Sequence, residues 1–136
     1  MPRALRLQVR LGPNPLAVAA ARSLVARACD RWQLPHLRHD AALVVSELAS
    51  NAVLHAGTDL VVTVVRTGPG LLLAVRDGDT RYPRLHEPPG EDSAAALQEQ
   101  GRGLLLVHAV VPAWGAMPAR GGKVVWATVF PDTPTT

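Results

Sequence analysis

Glu47-Leu48-Ala49-Ser50-Asn51-Ala52-Val53-Leu54-His55-Ala56 is the stretch from which the fold of this chain is read. Glu47, Asn51 and His55 recur every four residues, which on an α-helix sets them along one stripe. Leu37, Ala41, Val44, Val45, Leu48, Ala52 and Val53 form the apolar face beside it. The spacing predicts a helix over about 36–56, with Gly57 as its C-cap. Small residues (Ala49, Ala52, Ala56) flank the polar stripe and leave room for a group to approach. A carboxamide oxygen at Asn51 suits a hard cation such as magnesium. A carboxylate one turn away, at Glu47, can orient or deprotonate a hydroxyl. The same stripe also suits a solvated polar face.

Working outward toward the N-terminus, residues 3–11 alternate polar and apolar positions, the pattern of a half-buried strand. Gly12-Pro13-Asn14-Pro15 breaks it. Asn14 is placed as an N-cap and Pro15 as the first helical residue. A helix to about Trp32 follows, with Leu16, Ala20, Leu24, Ala28 and Trp32 on one stripe, and Leu34-Pro35 ends it.

Toward the C-terminus, two strands are predicted at Leu60 to Arg66 and Leu71 to Arg76, joined by a hairpin turn at Gly68-Pro69-Gly70. The second strand stops at Asp77-Gly78-Asp79. A carboxylate there can accept a hydrogen bond from a purine amino group, although Asp-Gly also serves plain turns. Residues 80–100 are rich in proline and mixed charge, as in a lid or binding loop, with a short helix compatible with 93–99. Gly101-Arg102-Gly103-Leu104 then opens a helix to Val111, stopped by Pro112. Two glycines and a helix N-terminus suit a phosphate, but equally a plain loop-to-helix entry. The Gly-Lys-Ser/Thr of a P-loop is absent. Residues 113–119 and 123–130 close the chain as a hairpin turning at Arg120-Gly121-Gly122. The order implies one α+β domain over 1–136: a two-layer sandwich of a mixed, mostly antiparallel sheet with helices on one face.

Taken in order, these motifs resemble the histidine-kinase-like (GHKL) ATPase domains of the Bergerat ATP-binding fold. The nearest resemblance is to the small bacterial anti-sigma regulatory serine/threonine kinases. It spans nearly the whole chain. Glu47 to Ala56 looks like the asparagine box, Asp77-Gly78-Asp79 stands for the first glycine box, and Gly101-Arg102-Gly103-Leu104 for the second. The resemblance implies ATP and magnesium as ligands. Asn51 would hold the metal and Glu47 would be the catalytic base for a hydroxyl on a partner protein. Asp77 would read the adenine amino group. Gly101, Arg102, Gly103 and Leu104 would hold phosphates under a lid at about 80–100. His55 matches the motif and counts among the ATP-binding residues, without an assigned role. The implied partners are a sigma factor and an anti-anti-sigma-type antagonist, and a homodimer is compatible. Two departures stand out. The glycine of the first box falls one place early, with Arg81 in its last position, which predicts a differently shaped adenine loop. Val124 stands where relatives often carry a threonine, which predicts a missing water-mediated contact to adenine.

Composition narrows the alternatives. A chain of 136 residues, 48% hydrophobic, suits one packed domain. No apolar run approaches the roughly 18 residues of a membrane span, and the first residues lack the pattern of a signal peptide. With Cys29 the single cysteine, no internal disulfide can form; a cytoplasmic protein is expected. The net charge of +3 comes with no basic run, and Lys123 is the only lysine. The charge suits an anionic ligand, and a nucleic-acid-binding domain ranks below the ATP reading. His36, His39, His86 and His108 lack metal-ligand spacing, which argues against zinc. Trp114 and Trp126 are expected to pack in the closing hairpin. Besides a kinase, a non-catalytic ATP- or partner-binding module of the same fold remains open.

Overall fold

Asn14 starts the first helix: its Oδ1 accepts the Leu16 N–H at 2.9 Å, satisfying a donor that the first turn leaves orphaned. This computed structural model describes residues 5–81 and 113–131. Its elements are β1 (Arg6–Leu11), α1 (Leu16–Arg31), a short 3-10 turn (Pro35–Leu37), α2 (Arg38–His55), β2 (Leu60–Thr67), β3 (Gly70–Asp77), β4 (Ala113–Ala119) and β5 (Gly122–Val129).

The α1 helix ends at Arg31 with Trp32 as its C-cap, within a residue of the expected end, and the stop is made at Gln33, ahead of Leu34-Pro35. Gln33 adopts a left-handed φ of 57°, and the Leu34 N–H turns back onto the Cys29 carbonyl at 2.8 Å. That is a glycine-type helix stop built on a glutamine. Arg66 then donates from Nη1 to the Trp32 carbonyl at 3.0 Å, placing a cation at the negative end of the helix. The buried seam of α1 is Ala17, Ala21, Leu24, Val25, Ala28, Cys29 and Trp32. The expected stripe through Leu16 and Ala20 is therefore one residue off at its start; Leu16 is exposed. Pro35 holds residues 35–37 in a tight turn, so α2 begins at Arg38 rather than near His36. Gly57, at φ 64°, ends it as anticipated.

The sheet has the order β1-β2-β3-β5-β4, and all four pairings among the described residues are antiparallel. Strand alternation sends one side chain in two toward the helices. Leu60, Val62 and Val64 of β2, Leu71, Leu73 and Val75 of β3, and Val125, Ala127 and Val129 of β5 are buried on that face. They meet Ala41, Val44, Val45, Leu48, Ala49 and Ala52 of α2 in one core. The result is the expected two-layer α+β sandwich with helices on one side. The opposite face carries Arg10, Val61, Arg76, Val124 and Met117, which the register places in one row across the sheet. Trp114 and Trp126 have adjacent-residue partners on β5 and β4, Ala127 and Gly115, and so lie on opposite faces of their hairpin. No helix among the described residues is long and apolar enough to cross a membrane.

Candidate functional site

Glu47 and Asn51 lie one turn apart on α2, the helix that packs over β3, and both are half-buried. Neither side chain receives a hydrogen bond from another described residue. Burial raises the Glu47 carboxyl above its ordinary value of 4.5. His55, at the last turn, is exposed. Its backbone carbonyl, not its ring, has a contact: Arg81 donates to it from Nη2 at 3.3 Å.

Asp77 ends β3 on the helix-facing side and is 4% exposed. Such a carboxylate needs partners, and two described neighbours supply them. Its Oδ1 accepts the Asp79 N–H at 2.8 Å and the Lys123 Nζ–H at 3.0 Å. Lys123 is itself 4% exposed and also donates to the Asp79 carbonyl at 3.1 Å. Gly122 lies against the main chain here: a Cβ at this position would land on the Asp77 carbonyl oxygen and come within 2.8 Å of the Gly78 Cα. Gly78 in turn donates its N–H to Thr58 Oγ1 at 2.8 Å, and a Cβ on Gly78 would press on that threonine at 3.0 Å. These contacts give the post-strand loop one path.

Arg81 shapes the rest of that loop. Its N–H, Nε and Nη2 all bond the Asp79 carboxylate, at 2.9 to 3.2 Å. These bonds hold the Asp79 carboxyl down at about 2, against an ordinary 3.8. The arginine that replaces the expected glycine thus clasps Asp79 to the end of α2.

The concern attached to Val124 moves to its neighbour. Val124 pairs with Arg76 and faces the open side of the sheet, whereas Lys123 pairs with Asp77 on the helix side. Residue 123 is therefore the one beside Asp77. Sequence reasoning missed Lys123, Gly122 and Thr58 as site residues. One signal was available: a single lysine, in an apolar strand, at the register position opposite a strand-end aspartate. Gly101, Arg102, Gly103, Leu104 and residues 82–100 of the expected lid lie outside the described residues, as do His86 and His108.

A half-buried carboxylate beside a carboxamide on one helix, and a buried carboxylate at the end of the strand beneath, are the anchors expected of a purine nucleotide site. The Asp77 acceptor suits the amino group of a base; the oxygen donor of Asn51 suits a hard cation. The sequence matches the histidine kinase-like ATPase domain over residues 11–129, and the chain belongs to that family. Membership supports ATP binding. A comparison with curated proteins finds no match.

Proposed function

We propose that this chain is a magnesium-ATP-binding regulatory protein of the anti-sigma-factor type, a serine/threonine kinase that phosphorylates an antagonist protein. The observation that carries this reading is the Glu47 carboxylate: half-buried, raised by burial, and one turn from Asn51. A base poised above the ordinary carboxylate range is suited to take a proton from a hydroxyl. Asn51 would hold magnesium, and Asp77 would accept from the adenine amino group. Gly101, Arg102, Gly103 and Leu104 would face the phosphates. Bound magnesium-ATP supplies the phosphoryl group and the charge that polarises it. Glu47 orients the partner's serine or threonine hydroxyl and receives its proton as the oxygen becomes a nucleophile. Sigma factor and antagonist are the proposed protein partners, in the cytoplasm.

Glu47→Gln tests the base. It keeps the shape of the side chain and removes its proton affinity. Nucleotide affinity stays within about twofold, while transfer to the antagonist falls by at least about 100-fold. Equal phosphorylation by the variant removes Glu47 from the catalytic role.

A second reading is a non-catalytic module whose bound nucleotide sets only its conformation. The altered loop after Asp77 favours it: Arg81 stands in place of the expected glycine and binds Asp79. Nucleotide binding without transfer to any candidate antagonist would select it.

A further inference from the structure

Lys123 and Asp77 form a buried ion pair that phosphoryl transfer itself does not require. The bonding is uneven in a useful way. Oδ1 of Asp77 receives two donors, while Oδ2 receives none from the described residues. The Lys123 ammonium has three N–H groups, and the described residues give it two acceptors, Asp77 Oδ1 and the Asp79 carbonyl. Among the described residues, one carboxylate oxygen and one ammonium N–H of this pair are thus left without a partner at the end of the β3–β5 pair. Gly122 lets the main chain of Asp77 and Gly78 pack directly against this turn.

An acceptor next to a donor matches a ligand edge that carries a donor next to an acceptor. A 6-aminopurine presents that pair as its exocyclic amino group and N1. A 6-oxopurine presents the two in reverse order. We propose that Lys123 is a specificity-determining residue of the base site. Its ammonium donates to N1 of adenine while Asp77 Oδ2 accepts from the amino group. The inference rests on the ATP-binding reading above. It adds a second reader to the edge that Asp77 was expected to read alone, on this chain's only lysine.

The ion pair also matters for access. A lone buried carboxylate repels a neutral base by the desolvation it demands, and a paired one presents little net charge. Lys123→Met alone leaves Asp77 uncompensated and is prone to unfolding, so the test does not depend on it. Wild type is titrated calorimetrically with magnesium-ATP and with magnesium-1-deaza-ATP, which lacks the N1 acceptor. ATP binds about tenfold tighter, the worth of one hydrogen bond from a charged donor. The same pair of titrations on Lys123→Arg, which keeps the charge but moves the donors, and on Lys123→Met where a thermal melt shows it folded, gives a ratio near one. A mere scaffold role would weaken both nucleotides equally and leave the ratio unchanged. Equal affinity of wild type for the two nucleotides overturns the role of Lys123 and leaves ATP binding intact. No binding of either at millimolar concentration overturns the ATP reading, and this inference with it.

Discussion

Gly122 and Gly121 are neighbours in one turn, yet they constrain the chain for different reasons. At Gly121 the backbone has φ 72° and open space around the missing Cβ. Gly121→Ala therefore pays only for the left-handed backbone, about 1–2 kcal/mol. At Gly122 the added methyl meets the main chain of Asp77 and Gly78, which cannot rotate away as a side chain would. Gly122→Ala is expected to cost about 1–3 kcal/mol as overpacking. It should also displace Asp77, so ATP affinity falls at least tenfold, whereas Gly121→Ala leaves it unchanged. Thermal melts and titrations of the two variants check the contrast; equal affinity losses would show that the Gly122 contact does not position Asp77. At this scale much was legible beforehand. Asp77, Asn51 and Glu47 stand where helix spacing and strand end placed them. Lys123 was not found, because its partner lies 46 residues away and only the strand register joins them.

Elements were legible through their punctuation. Gly57, Gly68 and Gly121 all take positive φ at the turns assigned to them. The end of α1 was placed within a residue, but the device that makes it was not, because Gln33 does the work of a glycine and no propensity marks it. The loop after β3 shows how such a departure is compensated: Arg81, standing in a glycine position, earns its place through Asp79. The sign of its pH effect follows from the lowered carboxyl. Asp79 is held at about 2 against 3.8. Its stabilising contribution is complete above 3.8 and disappears as the pH falls toward 2. The stability difference between wild type and Arg81→Ala is thus small, constant at neutral pH, and vanishing in acid; Arg81 is exposed, so solvent screens the pair. Denaturant melts from pH 7 to pH 2 measure it, and a difference that grows in acid would contradict the assignment. On β2, Thr67 buries a hydroxyl with no partner among the described residues. Thr67→Val removes that desolvation penalty and is expected to stabilise the fold by about 1 kcal/mol, read as a higher melting temperature.

The whole molecule has two unlike faces, and one strand reports on both. Leu72 and Leu73 are consecutive in β3, the central strand of the sheet. Leu73 is fully buried against the helices, while Leu72 is half-buried on the open face. Leu73→Ala opens a cavity in the core and should cost about 2–5 kcal/mol at any protein concentration. Leu72→Ala removes contacts on one side only, and should cost about 1 kcal/mol or less in an isolated chain. The comparison also tests the compatible homodimer. If a second copy covered the open face, wild-type melting would rise with protein concentration. Leu72→Ala would then flatten that dependence while Leu73→Ala would merely shift it downward. A melting temperature independent of concentration in wild type, with a small Leu72→Ala effect, means that the open face is left to solvent or to a different protein.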